Sequence, residues 1–188
     1  NIPTARWTRR PPHSHSLIVL SSPRAGSPLL AYTRLPLLFL ALWLGGIVYF
    51  SSALAPVAFS VLPPSLAGHV VSPALHRLHF HGLLAGILYL LWTLVRGQHF
   101  GAAPRTRILL ILLALTLTAT SEFQITPRIA AARAAAGADL SEPALGPDEA
   151  AARRRFDQLH VWSVGLELGT LVSLLTLFGL SATSTKPD

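Results

Sequence analysis

The sequence predicts an all-α integral membrane protein, a four-helix bundle made of two similar two-helix halves and preceded by a Pro/Arg-rich N-terminal tail. Of the 188 residues, 51% are hydrophobic and 12% are charged, and the mean hydropathy of +0.50 is high for a soluble domain. The apolar residues fall into four runs, each of roughly the 17–25 residues that a membrane-spanning helix requires. Because lipid offers the backbone no hydrogen-bond partners, helices are the structure that such runs adopt.

Similar motifs close and open the apolar runs in both halves, and they occur in the same order. The first run of each half is closed by a segment with a proline, Ala55-Pro56-Val57 or Thr126-Pro127-Arg128. The second run is opened by a leucine and a histidine, Leu78-His79 or Leu159-His160. We therefore expect an approximate twofold axis along the membrane normal, which relates the second span to the fourth.

The chain is predicted to divide into a tail, a membrane domain and a short C-terminal tail. Residues 1–29 are rich in proline, serine and arginine and are expected outside the membrane, where they contact other membrane-protein subunits. Residues 30–181 form the membrane domain, and residues 182–188 form the C-terminal tail. The predicted spans are about 35–54, 78–95, 108–125 and 159–180. The tryptophans of the spans, which mostly lie toward the span ends, are predicted to be interfacial anchors: Trp43, Trp92 and Trp162.

The positive charges predict how the chain is oriented. Arginine and lysine are more numerous in the N-terminal tail, in the turn between the second and third spans and at the C-terminus than in the two other connections. Because basic residues concentrate on the cytoplasmic side, both termini are predicted to be cytoplasmic. The abundance of arginine, alanine, leucine and proline is typical of GC-rich bacterial genomes, so we expect a multi-pass protein of the bacterial inner membrane.

Composition and motifs exclude several functional classes. The 15 basic and 8 acidic residues give a net charge of +7, but no basic patch is interleaved with exposed aromatic residues, so nucleic acid is not an expected partner. The sequence has no cysteine, which excludes disulfides, thiolate metal sites and cysteine catalysis. It also lacks a nucleophile elbow, a glycine-rich phosphate loop and a zinc-protease motif, so we expect that the protein is not an enzyme.

The two histidines that open the second and fourth spans are the main candidate site residues. If the two halves are similar and have the same orientation, His79 and His160 lie at equal depth and face each other. Small residues follow both histidines at helical spacing and are predicted to let the helices approach closely. These helix-packing residues are Gly82, Gly86, Gly165 and Gly169.

Two neutral imidazoles that face each other can bind a cofactor. His79 and His160 are candidate ligands for the iron of haem b, for the magnesium of chlorophyll or bacteriochlorophyll, or for a transition metal. His76 lies one turn before His79 and is a candidate third metal ligand. The alternative is the commoner role of buried histidines, in which they hydrogen-bond to each other, to carbonyl groups or to water.

Glu167 is the most unusual single residue because it lies inside an apolar run. It follows His160 by two helical turns, on the same face and about 10 Å deeper. A carboxylate at that depth is costly and must face protein or water. One hypothesis is a proton or cation relay from His160 to Glu167. The other is a hydrogen bond to a hydroxyl group of a neighbouring span, from Thr116, Thr118 or Thr120.

A second acidic residue, Glu122, ends the third apolar run. Arg128 follows at a short distance in the sequence. We expect these two side chains to form an ion pair near the membrane surface, with a structural role.

The order of several short motifs resembles that of a known family. The motifs are Leu44-Gly45-Gly46, Ala55-Pro56-Val57-Ala58-Phe59, Arg77-Leu78-His79, Thr126-Pro127-Arg128-Ile129 and Phe156-Asp157-Gln158-Leu159-His160-Val161-Trp162-Ser163. They resemble the four-span bacterial proteins of unknown function that are grouped with eukaryotic transmembrane protein 205. The resemblance covers about residues 35–180 and implies that His79 and His160 are signature positions. It also implies a neutral amide where this chain has Glu167, so a relay through Glu167 is particular to this protein. A more distant likeness to copper-resistance D-type membrane proteins implies metal or haem binding.

Three functional hypotheses follow from the sequence. The favoured one is a non-enzymatic accessory or structural subunit of a larger bacterial membrane complex, respiratory or photosynthetic. The first alternative is a haem- or pigment-binding membrane subunit that uses His79 and His160. The second is a small transporter or metal-tolerance protein that uses His79, His160 and Glu167.

Overall fold

A computed structural model describes residues 28–96, 103–136 and 146–183, and all regular secondary structure in these ranges is helical. Six α-helices and two short π-helices, π1 and π2, follow one another in these described ranges. They are α1 (Pro28–Tyr49), π1 (Phe50–Leu54), α2 (Ala55–Val61), α3 (Pro64–Arg96), α4 (Ala103–Thr120), π2 (Ser121–Ile125), α5 (Thr126–Ala135) and α6 (Pro147–Thr183). The predicted tail, residues 1–29, lies almost entirely outside the described residues.

Four stretches of this structure are long and apolar enough to cross a membrane. They are Leu35–Val61, Pro64–Val95, Arg105–Ala135 and Pro147–Ala182. Their outward surfaces carry large apolar side chains such as Leu42, Leu109 and Val172, as a surface in contact with lipid requires. The predicted four-helix membrane bundle is therefore confirmed, and the protein is a multi-pass membrane protein.

The four long helices form a ring in which neighbours along the chain are also neighbours in space. Helix α1 packs against α3 and α6, and α4 packs against the other side of α3 and of α6. Helices α3 and α6 therefore lie diagonally across the bundle axis. The short helix α5 packs on α6. We call the end of the bundle that contains α2 and α5 the α5 end. The other end, at which α6 terminates, is called the opposite end.

Helix α3 begins well before the span predicted for it. It starts at Pro64 and continues through Pro73, so His69 and His76, which precede the predicted span, lie on the same helix as His79. Proline removes one backbone hydrogen bond, and here the rest of the helix tolerates that loss. Helix α6 has 37 residues, which is about 55 Å at 1.5 Å per residue, and it also extends beyond a hydrocarbon core of about 30 Å.

A π-helix precedes each of the two proline motifs that the sequence repeats. In π1 the backbone N–H of Ala55 donates to Phe50, and in π2 that of Thr126 donates to Ser121, five residues back in both cases. Proline has no N–H, and its ring collides with the carbonyl four residues earlier in a regular α-helix. A widened turn before Pro56 and before Pro127 relieves that collision. The sequence similarity of the two halves thus corresponds to a shared backbone feature.

The apolar core fills the bundle between its middle and the opposite end. Each of the four long helices contributes buried side chains: Leu40, Trp43, Ile47, Tyr89, Ile111, Ala114, Leu174 and Leu177. The ionisable residues of the bundle interior lie toward the α5 end from this core. His79 on α3 and Glu122 on π2 are buried, and Glu167 on α6 is partly buried.

Candidate functional site

His79 on α3 lies between two carboxylates and has 1% of its side chain exposed. Its Nδ1 lies 2.8 Å from Oε2 of Glu122, and its Nε2 lies 3.1 Å from Oε2 of Glu167. Glu122 belongs to π2 and Glu167 to α6, so one imidazole ring connects three segments of the bundle. Because α3 and α6 are diagonal neighbours, this contact crosses the bundle axis.

The other oxygen of Glu122 connects the buried histidine to a second, exposed histidine. Oε1 of Glu122 is hydrogen-bonded to Nδ1 of His76. Glu122 is 8% exposed, whereas the side chain of His76 is 61% exposed. His76 and His79 are one helical turn apart on α3, which brings both rings to the same carboxylate. The result is a continuous series of four ionisable groups that begins at the exposed His76 and passes through the buried His79: His76, Glu122, His79 and Glu167, of which Glu167 is 17% exposed.

The four residues His76, Glu122, His79 and Glu167 are called the cluster below. The hydrogen bonds of His79 require an additional proton in this cluster. A neutral imidazole has one N–H group and one acceptor nitrogen, and an ionised carboxylate has acceptor oxygens alone. A neutral His79 can therefore satisfy one carboxylate but not two. Either the ring is an imidazolium that donates from both nitrogens, or Glu122 or Glu167 carries a proton that it donates to the ring. In both cases His79, Glu122 and Glu167 together hold one more proton than they would as a neutral imidazole and two ionised carboxylates.

The structure does not bring His79 and His160 together, so the prediction that they face each other at equal depth is wrong. His160 is exposed, and its ring stacks on Phe156 with 6.1 Å between centroids and an interplanar angle of 7°. The residue of α6 level with His79 is Glu167, two turns further along the helix. The axial position of α6 against α3 depends on side-chain packing, which the motifs do not encode.

The predicted partners of both glutamates also differ from the observed ones. Glu167 bonds to His79, and the sequence-based hypotheses named His160 or a threonine of the third span. Arg128, predicted to pair with Glu122, instead donates to Oε1 of Gln124 at 3.5 Å. A signal for the observed pairing was present, because Glu122 and the His76–His79 turn lie near the same ends of two consecutive spans.

The cluster does not form the cofactor or metal arrangement expected from the sequence. Among the residues of 28–96, 103–136 and 146–183, no group of three or more His, Asp or Glu side chains is arranged to hold a metal ion. Both ring nitrogens of His79 face carboxylates, and His160 lies on an exposed face. These two histidines therefore do not fit the two axial ligands of one haem iron.

Trp43 occupies the space beside the predicted glycine strip of α3. A Cβ atom on Gly82 would lie 2.2 Å from Nε1 of Trp43, and a Cβ atom on Gly86 would lie 2.6 Å from Cζ3 of the same ring. Trp43 is therefore a buried packing residue and not the interfacial anchor that we expected. On α6 the two predicted glycines differ. Gly169 lies close to Leu117, whereas Gly165 has no described atom within 4 Å.

Comparison with known proteins identifies the family of this membrane domain. The model of a domain of unknown function, DUF4149, matches residues 38–138, a range that contains His76, His79 and Glu122 and ends before Glu167. No curated protein and no solved structure matches the chain. The grouping with transmembrane protein 205 and the likeness to copper-resistance proteins stay predictions. Because the match covers more than half of the chain, the protein belongs to the DUF4149 family.

Proposed function

We propose that this protein is a non-enzymatic membrane protein that binds and relays protons through the cluster of His76, Glu122, His79 and Glu167. A single observation carries the proposal. His79 is buried, and each of its ring nitrogens lies within hydrogen-bond distance of a carboxylate oxygen. A buried histidine that shares protons on both sides is suited to accept a proton at one nitrogen and release one at the other.

The connectivity of the cluster supports a relay. Glu122 meets His76 through one oxygen and His79 through the other, so it can receive a proton at one atom while it gives one up at the other. His79 then continues the series from Nδ1 to Nε2, toward Glu167. The series starts at the exposed ring of His76, beside Arg77, where the protein surface meets water or lipid headgroups. Protons therefore enter at the α5 end.

The distances favour a proton over a metal cation as the species that is exchanged. The nitrogens of His79 and the carboxylate oxygens are 2.8 and 3.1 Å apart, which are direct hydrogen-bond lengths. Ionisable side chains inside membrane segments are costly and are typical of proton relays. We further propose that the protein lies in a bacterial inner membrane with both termini in the cytoplasm. The α5 end then faces the periplasm, and uptake occurs from that side.

Infrared spectroscopy on the protein in liposomes tests the proposal. An acid–base difference spectrum of the unmodified protein is expected to contain the carbonyl band of a buried carboxylic acid that titrates. Glu167→Gln should remove or shift that band, since it removes one of the two carboxyl groups that share the proton of His79. Glu149→Gln is the matched control, because Glu149 pairs with Arg153 on the same helix, 2.7 Å away, near its start.

The same difference spectrum can contradict the proposal. If Glu167→Gln and Glu122→Gln both leave the titrating bands as they are in the unmodified protein, the cluster exchanges no proton. The proposed function then fails.

An accessory subunit of a larger membrane complex, respiratory or photosynthetic, is a second candidate. The observation that favours it is the open space beside Gly165, on a face of α6 that also exposes Val161 and Leu168. A glycine on such a face allows a further helix to approach closely. Purification from native membranes in mild detergent should then yield a complex that Gly165→Leu disrupts. A protein that stays alone under these conditions argues against this role.

A further inference from the structure

Buried hydroxyl groups continue the polar series beyond Glu167. One turn deeper on α6, Oγ1 of Thr170 lies 3.4 Å from Oγ1 of Thr118 on α4. Both threonines are fully buried, and Ser173, which follows on α6, is also buried. The hydroxyl groups of Thr170 and Ser173 donate to backbone carbonyls of their own helix. They lie between the glutamate and the apolar core.

The hydroxyl of Ser121 marks a place for a water molecule within this series. Ser121 is 1% exposed, and its Oγ has no hydrogen-bond partner among the described residues. It lies between Thr118 and Glu122 on the interior side of the third span. On the facing helix α6, Thr170 lies level with Thr118, and Glu167 lies level with Glu122. Ser121 therefore lies between these two levels. A buried hydroxyl without a protein partner is unfavourable, and an ordered water is the usual partner in such a place.

An apolar layer ends the series before it crosses the bundle. Leu174 and Leu177 of α6 are completely buried, together with Ile111 of α4 and Leu40 of α1. A second buried polar pair follows this layer, formed by the hydroxyl groups of Tyr89 and Ser181 at 3.1 Å. Ser173 and Ser181 are separated by about 12 Å of helix rise, which is several times the length of one hydrogen bond. A proton cannot cross that distance without water.

From these three features we infer a proton path through the whole bundle that is closed by a single apolar gate. The path leads from His76 through Glu122 and His79 to Glu167, and then over a water at Ser121 to the Thr118–Thr170 pair. Leu174 and Leu177 form the gate, and the Tyr89–Ser181 pair is the exit on the other side. In this state the protein takes up protons from the α5 end and does not let them through. Transfer to the opposite end requires that water enters the layer, as in pores that are gated by dewetting. The inference rests on the proposed proton relay.

A proton leak measured in liposomes tests the gate. The full chain is reconstituted with a trapped pH-sensitive dye, and a potassium gradient with valinomycin drives protons inward. Leu174→Ser is expected to raise the leak about tenfold or more, since a hydroxyl group in the layer stabilises the water that the path lacks. Leu175→Ser is the matched control, because Leu175 is the next residue and is 51% exposed on the outer surface. It should leave the leak as in the unmodified protein.

The double variant Leu174→Ser/Glu167→Gln tests whether the path passes through the cluster. We expect it to lose the additional leak. If the leak persists in the double variant, or if Leu175→Ser leaks equally, the inferred path is wrong, while the infrared titration of the unmodified protein is unaffected. The failure of the inference and that of the proposed function are thus distinguishable. A properly folded Leu174→Ser variant without a leak also overturns the gate.

Two further variants cover the case in which Leu174→Ser does not fold. Leu177→Ser opens the same layer at the next turn and is judged by the same criteria, with folding checked by circular dichroism and gel filtration.

Ser121→Ala removes a single hydroxyl and should remove the O–H band of an internal water, identified by its shift in H₂¹⁸O. Retention of that band contradicts the water at Ser121 and with it the path.

Discussion

Replacement of His79 by alanine is expected to destabilise the protein by about 3–5 kcal/mol, the usual cost of removing one partner from a buried ionic group. Glu122 and Glu167 both face this ring, so its removal leaves two carboxyl groups without their shared partner. The unfolding midpoint in detergent should fall strongly, and it can be followed by circular dichroism during heating or during titration with a denaturing detergent.

The matched control for this experiment is His160→Ala. Because His160 is exposed and stacks on Phe156, we expect a change within about 0.5 kcal/mol. Glu167→Gln combined with His79→Ala should recover part of the lost stability, since a neutral amide is less costly to bury than a carboxylate. Equal losses from His79→Ala and His160→Ala would contradict the assigned roles of the two histidines.

The four spans could be predicted from sequence because the physics of a bilayer leaves few alternatives. Apolar runs of sufficient length must satisfy their backbone internally, and helices do so. The ends of the helices could not be predicted equally well. Helices α3 and α6 both begin well before the predicted spans, and their extensions lie at the α5 end, where α2 packs on α3 and α5 packs on α6.

The sequence predicts which residues belong to the candidate site, but it does not predict which of their side chains contact each other. His79 and Glu167 were identified because a polar residue in an apolar run needs a partner, and this argument holds whatever the partner is. The pairing depends on how far α6 is displaced along α3, and no sequence motif specifies that distance. The sequence predicts a surface role for Glu122 because no motif specifies the π-helix π2. The widened turn lies where Glu122 meets both histidines.

The two halves share motifs but use them differently, and this difference explains the failed symmetry argument. Gly86 follows His79 at the same distance at which Glu167 follows His160. In the first half, Trp43 fills the space beside Gly86. The residue at the corresponding place before the second proline motif is Ala114, which fills no such space. An interior position that is apolar in the first half is therefore occupied by a carboxylate in the second, and the histidine of the first half is its partner.

Gly82→Ala is expected to destabilise the protein by about 1–3 kcal/mol, as is usual when an additional methyl group is forced into a packed interior. The new Cβ would lie 2.2 Å from Nε1 and 2.6 Å from Cε2 of Trp43. Such distances require the ring or the helix to move, and a rigid, buried indole has little freedom to do so. The loss should appear as a lower unfolding midpoint in detergent, even though alanine is intrinsically a better helix former than glycine by about 1 kcal/mol.

A comparison with Gly165→Ala separates packing from helix propensity. Gly165 has no described atom within 4 Å, so the same substitution there should be neutral or stabilising by at most about 1 kcal/mol. Trp43→Leu in the Gly82→Ala background should recover part of the loss, since the smaller side chain leaves room for the methyl group. If Gly82→Ala and Gly165→Ala have the same effect, Trp43 does not lie against α3 as described. In that case the wall of the bundle beside His79 must be formed by another residue.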